Sequence, residues 1–295
     1  MKIKRDASER VLLIFSAVFM SIFTILCIYP FYYVIIGSIT SASHTGYVFL
    51  YPKEITFATY KQLLSKSTIY MAFFISVSRT ALGTALQVLF TGMLAYLMTK
   101  QDMPFRKFVY RYFIITMYVS GGLIPWFITM KAYGFQNNYL VYVIPSIVSA
   151  WNMILIKTFI ESLPGSLEES AEIDGAGFMA VFMRIIMPLS KPILATVAVY
   201  TSVYLWNTWQ DNYFLVQTPN LTTLQLLLYN YLQQADALAR TMQNSMGYNP
   251  YAKIPFSSAT VRMSMVVITV LPIMLVYPFM QRYFTKGIML GAVKG

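Results

Sequence analysis

Residues 161–192, ESLPGSLEESAEIDGAGFMAVFMRIIMPLSKP, interrupt an otherwise apolar chain with acids, glycines and prolines. Pro164-Gly165 breaks any helix arriving from the N-terminal side. Ser166 and Glu169 have the spacing of a capping box, in which each side chain satisfies the other's free backbone amide. Glu168, Glu169 and Glu172 occupy the opening turns, where the helix dipole favours negative charge. Gly175 suits the left-handed conformation that ends such a helix. A second short amphipathic helix is expected over Phe178–Ile186, stopping at Pro188. The pattern predicts a helix–turn–helix, acidic at one end and apolar along one face, forming a compact knob for a partner to grip.

The surroundings of this knob are membrane-like. Of 295 residues, 57% are hydrophobic and 11% charged, with a mean hydropathy of +0.58. Soluble domains carry about 25% charged residues, so this composition suits a protein whose outer face meets lipid. The net charge of +11 reads as lysine and arginine holding loops beside an anionic leaflet rather than as a nucleic-acid surface. Cys27 lies in an apolar run with no second cysteine to pair with and no metal-ligand spacing around it. His44 has no carboxylate arrangement to activate it, and no metal site is expected. The first hydrophobic run is too long for a signal peptide and lacks a small-residue cleavage site, so it reads as a retained helix.

A spanning helix needs about 20 apolar residues, and six runs meet that length: Val11–Ile39, Thr80–Met98, Tyr112–Met130, Tyr139–Phe159, Leu189–Trp209 and Met263–Phe284. A short interfacial helix is expected near Tyr60–Leu64. An amphipathic patch covers Leu221–Leu232, and Met246–Tyr251 is rich in turn residues. With the N-terminus inside, fourteen lysines and arginines fall on the inner side and seven on the outer. That bias fits the positive-inside rule, and six spans return both termini to the cytoplasm. Arg79, just ahead of the second run, reads as an outer-interface anchor that snorkels. The expectation is an all-α integral membrane protein. Residues 1–67 form an N-terminal transmembrane helix and outer loop. Residues 68–295 form a transmembrane core that includes the loop 161–192 and a cytoplasmic tail, 282–295.

ESAEIDGAGFMAVFMRIIMPLSKP resembles the signature loop of binding-protein-dependent ABC importer permeases, whose pattern is Glu-Ala-Ala, three residues, Gly, then Ile-x-Leu-Pro. Glu169, Ala171, Asp174, Gly175, Ala176, Ile185 and Pro188 fall on that pattern, while Ser170 and Met187 depart from it. The ending QRYFTKGIMLGAVKG is similar to the cytoplasmic tail of MalG-type subunits of the maltose importer group. YVSGGLIPWFITMKAYGFQNN and LWNTWQDN resemble oligosaccharide permeases of the LplC/YtcP kind within that group. The resemblance implies a type I ABC importer permease fold whose loop is a coupling helix between spans four and five. It further implies a homologous second permease subunit, two ATP-binding cassette subunits, an extracytoplasmic solute-binding protein and an oligosaccharide cargo. The setting it implies is the bacterial cytoplasmic (inner) membrane. ATP and Mg would be bound by the partner ATPases, and this chain would hold no cofactor and no catalytic site. In agreement, the sequence contains no GxxxxGK[ST] phosphate-binding loop.

Sugar recognition combines aromatic faces with planar polar side chains. Tyr204, Trp206, Asn207, Trp209, Gln210, Asp211 and Asn212 cluster at the outer end of the fifth run. If helical, Trp206 and Trp209 share a face, and the cluster lines part of the cargo route. An aromatic belt at the membrane interface is the alternative. A stand-alone secondary transporter or channel would want intramembrane acids, and the six runs show essentially none. A membrane-embedded enzyme finds little acid–base chemistry in this composition.

Overall fold

The structure is a computed structural model describing residues 7–41, 51–52, 54–245 and 257–292. His44 and the turn-rich part at 246–251 lie outside the described residues. The helices are α1 (Ala7–Ile39), α2 (Ala58–Leu64), α3 (Ser67–Leu97), α4 (Arg106–Tyr118), α5 (Leu123–Ala132), α6 (Ala150–Ile160) and α7 (Ser166–Ile173). They continue as α8 (Phe178–Val181), α9 (Met187–Leu189), α10 (Lys191–Asn207), α11 (Gln210–Leu215), α12 (Leu224–Ser245) and α13 (Ser258–Ala292). Three of them are long and apolar enough to cross a membrane, over Val11–Ile39, Ser67–Leu97 and Ser258–Val276. Two bent helix pairs pass the same test when each is taken as one span.

Contacts divide the chain into two units, 1–66 with 228–270 and 67–227 with 271–295. In the first, the apolar side chains of α1 stay exposed from Val11 to Phe31, as expected of a helix whose solvent is lipid. The chain leaving α1 folds back on its end: Ser41 N donates to Glu54 O at 3.0 Å and Thr56 N to Ile39 O at 2.8 Å. Tyr60 on α2 donates to Ser38 Oγ at 2.7 Å, and Ser264 of α13 donates to the Ser38 carbonyl at 3.2 Å. The interfacial helix expected near Tyr60–Leu64 is thus α2.

The second unit is organised around α3, which packs on α6 and α10. Its C-terminal half enters a core with Met153, Ile156, Ile160, Val181, Phe182, Ile186, Leu194 and Val197. Its N-terminal half meets a second cluster through Ile75, with Val141, Tyr142, Val143, Leu215 and Val216. Between the two ends, α3 turns Arg79, Gln87 and Thr91 inward, all of them buried.

Three spans differ from the sequence expectation. The second begins at Ser67 rather than Thr80, because Ser67–Arg79 is apolar enough to continue the helix. The third is two helices. Val119 is extended after α4, and Gly122, at φ 79°, precedes α5 in a conformation that only glycine adopts without strain. The fourth opens as 3-10 turns at Tyr139–Tyr142 and Ile144–Ser146 before α6, with a 44° bend. Pro145 explains the irregularity, since it removes an amide donor. Thr91 holds the bent segment, accepting from Ser149 N at 3.3 Å and donating to Ile147 O at 3.4 Å.

Candidate functional site

The hairpin at 161–192 forms, with two local corrections. Gly165 is already helical (φ −61°, ψ −28°) and is the N-cap of α7, so Ser166 lies inside the helix and no side chain caps it. The capping box is therefore absent, and the amides of Glu168 and Glu169 donate to the Gly165 carbonyl at 3.0 and 3.1 Å. At the other end Gly175 has φ 81°. Its amide donates to Glu172 O at 3.0 Å, and that of Ala176 to Ala171 O at 2.9 Å. These two bonds are the Schellman pair that seals an α-helix. The second correction concerns Pro188, which does not end the following helix. The segment runs from α8 through a π-turn at Phe182–Ile186 into α9, with Pro188 in the first turn of α9. A widened turn accommodates the ring and the missing amide. The segment Phe178–Leu189 meets α10 at 81°.

The hairpin is seated on α3. Tyr96, fully buried, stacks on Phe178 and Phe182 with ring centroids 4.8 and 5.6 Å apart. Lys100 donates to Glu168 at 2.5 Å and to Glu172 at 3.4 Å. Burial pulls the Lys100 pKa down, but the Glu168 hydrogen bond and the neighbouring Tyr96 outweigh it and leave the ammonium above its ordinary value. A raised lysine contributes stability that is present below its unfolded pKa of about 10.4 and lost as pH rises through the folded one. The tie is therefore closed at every physiological pH. Lys100→Met is expected to cost about 1 kcal/mol or less, as partly exposed pairs do, and to lower the thermal midpoint measurably. An unchanged midpoint would show the pair to be ornamental.

The second feature is a cavity of about 820 Å³ whose lining includes Arg79, Gln87, Trp126, Asn152, Tyr200, Thr201, Tyr204 and Asp211. At its edge the chain leaves α10, since Thr208 is extended (ψ 128°) and α11 restarts at Gln210. Arg79 is 2% exposed and occupies this break. It donates to Thr208 O at 3.0 Å and grips Asp211 through both terminal nitrogens at 3.2 and 2.5 Å. Its guanidinium lies 4.8 Å from the Tyr142 ring centroid, within cation–π range. Cation and anion thus sit at the end of one helix and the start of the next, where each complements the local backbone dipole.

No protein-family model matches the chain. Over 279 residues it is 32% identical to the polygalacturonan/rhamnogalacturonan transport system permease protein YtcP of Bacillus subtilis (strain 168), with 94% of this chain and 96% of YtcP covered. Protein LplC of the same organism is 35% identical over 273 residues, with coverage of 91% and 90%. Among solved structures, a chain of the crystal structure of a bacterial ABC transporter that imports the acidic polysaccharide alginate matches with a TM-score of 0.85. That chain is 27% identical, with 96% of this chain and 100% of the other covered. The chain belongs to the sugar ABC importer permeases.

The permease is accordingly a non-catalytic, integral membrane subunit. Its motif residues divide by direction. Ala171 is buried, and Ala176 and Ile185 pack against the α3–α6 core, whereas Glu169, Asp174, Gly175 and Pro188 are exposed. Ile173, 86% exposed at the hairpin apex, falls outside the motif pattern. The seat formed by Tyr96 and Lys100 has no local signature in the sequence, because its contacts cross more than 60 residues.

The aromatic–polar cluster at the end of α10 does not stay together. Trp206 is buried edge-on against Phe73 at 6.3 Å, in a separate apolar groove with Pro272 and Val276 of α13. Asn207 and Trp209 line a smaller hollow beside Tyr204. Only Tyr204, Gln210 and Asp211 of the cluster reach the large cavity. Because the helix breaks at Thr208, Trp206 and Trp209 are not on one helical face. Asn212 is fully buried and spends its carbonyl oxygen on Thr223, accepting from its amide at 2.7 Å and its hydroxyl at 3.0 Å. Arg79 corrects the expectation of a snorkelling anchor. With α3 starting at Ser67, it lies about 18 Å along the helix at 1.5 Å per residue, and its guanidinium is buried against Thr208 and Asp211 rather than turned outward. Its partner Asp211 lies two residues past the end of the fifth run, so the runs themselves carry no acid.

Proposed function

We propose that this permease forms, with a homologous second subunit, the membrane path of an ATP-driven importer that takes up an oligosaccharide handed over by an extracytoplasmic solute-binding protein. In this reading the spans are α1, α3, α4 with α5, the 3-10 turns with α6, α10, and α13. The hairpin is the coupling helix between the fourth and fifth, and both termini are cytoplasmic in a bacterial inner membrane. Two ATP-binding cassette subunits, which alone hold ATP and Mg, would dock on the face that carries Glu169, Asp174 and Gly175.

One observation carries the reading: the hairpin is bound tightly to α3 through Tyr96 and Lys100, while its apex at Ile173 is bare. A surface linker needs no such seat, but a handle does, because a push on the apex must reach the spanning helices without being absorbed. The oligosaccharide cargo rests on what more distant relatives in Bacillus subtilis are named for, melibiose, raffinose and stachyose for MelC and arabinooligosaccharides for AraQ. Purification through a tag on this chain is expected to bring down a nucleotide-binding subunit, and proteoliposomes of the complex should accumulate cargo only with ATP. A chain that transports alone, without ATP or a companion, would instead be a stand-alone transporter.

A further inference from the structure

We propose that Gln87, Asn152 and Thr201 form a subsite for an uncharged sugar ring inside the large cavity, an inference that rests on the importer reading above. The three residues come from α3, α6 and α10, and none is more than 7% exposed. Polar side chains at such depth are costly unless they find partners or face a polar route. Here they form a chain: Asn152 Nδ2 donates to Thr201 Oγ1 at 3.4 Å, and the Thr201 hydroxyl donates to Gln87 Oε1.

What this chain leaves over points to the ligand. Gln87 has used its oxygen and keeps its amide NH₂, whereas Asn152 has used its NH₂ and keeps its carbonyl. Their bonds to Thr201 engage neither remainder, and both residues line the cavity. The cavity is therefore offered a donor and an acceptor joined by one hydroxyl. A sugar hydroxyl both donates and accepts, so a pair of ring hydroxyls meets both leftovers, and Tyr200 and Trp126 in the same lining supply faces for the C–H side of a ring. A carboxylate only accepts, so it would meet the Asn152 carbonyl oxygen with nothing to give.

Charge leads to the same choice. Arg79 is the one cation and Asp211 the one acid among the lining residues, and they are already paired with each other. A uronate entering here would find both terminal nitrogens of Arg79 already given to Thr208 O and Asp211, with only the buried Nε left over. The 820 Å³ of space is of the size that encloses small organic ligands, so room does not limit the choice. Charge does.

The test uses the complete importer, with its ATP-binding subunits and solute-binding protein, in proteoliposomes. It is offered two mixtures: neutral oligosaccharides from xylan, arabinan and galactan hydrolysis, and oligouronates from pectin and alginate. Depletion of each component is read by mass spectrometry. Neutral components are expected to be taken up in preference. Thr201→Val, which keeps the side chain's shape, and Gln87→Leu should each raise the KM for them about tenfold, the scale of a lost buried hydrogen-bond partner. Preferential uptake of oligouronates overturns the proposal, as does a KM unmoved in both variants. ATP-dependent uptake indifferent to both substitutions removes the subsite but leaves the importer standing. No ATP-dependent uptake of either mixture removes both.

Discussion

Arg79→Met is expected to destabilise the permease by about 3–5 kcal/mol, the cost of leaving one member of a buried ion pair without its partner. The loss arises because Asp211 is only 8% exposed. Its remaining support is the amide of Asn212, which donates to it at 2.8 Å. The Thr208 carbonyl at the end of α10 also loses its donor. Asp211→Leu alone should be comparably harmful, since it strands the guanidinium instead. The double variant Arg79→Met/Asp211→Leu should recover most of the loss, because neutral, well-packed replacements remove the desolvation penalty of both charges together. Thermal unfolding of the detergent-solubilised protein, run as a double-mutant cycle, measures this directly. Additive losses in the double variant, or a single variant as stable as the parent, would mean that the pair does not hold the helix break together.

The second large effect is at Gly175. An added Cβ meets nothing within 4 Å inside this chain, but φ 81° strains any side chain placed there. Two substitutions separate strain from docking. Gly175→Ala adds mainly backbone strain, about 1–2 kcal/mol for a left-handed residue. Aspartate enters the left-handed region more readily than alanine, so Gly175→Asp adds less strain but more bulk and a second charge beside Asp174. If an ATPase sits on this surface, Gly175→Asp should lower ATP-driven uptake on the order of a hundred-fold, the upper range of a typical coupling energy. Gly175→Ala should lower it less. Membrane insertion, read by surface labelling, should be normal in both. Uptake reduced equally by the two substitutions, or more by alanine, would assign the effect to the turn alone and sink the docked surface.

Much of the architecture was legible in the sequence because membrane solvation is a local rule. Apolar runs of sufficient length announced α1, α3, α10 and α13, and the hairpin announced itself through Gly175 and its acids, whose conformational and dipole preferences are properties of single residues. Boundaries failed where a residue's environment is set from far away. Arg79 looked like the edge of a span because a lone cation is expensive in lipid, and nothing near it in sequence revealed that Asp211, 132 positions on, neutralises it. The cluster at the end of α10 looked like one helical face because the break at Thr208 has no glycine or proline to mark it. Thr208 is instead held extended with the Arg79 guanidinium on its carbonyl. Gln87 and Asn152 were visible as polar residues within expected spans, the one signal that could have located the cavity.

If a docked ATPase loads the hairpin, the 81° angle between its second arm and α10 sets how that motion is converted. A load applied along that arm has almost no component along the α10 axis, so it cannot slide the helix through the bilayer like a piston. It would turn α10 like a crank about its hairpin end at Ser190. Over 17 residues, about 25 Å of helix, the far end would sweep the widest arc, and that end carries Tyr204, which lines the cavity.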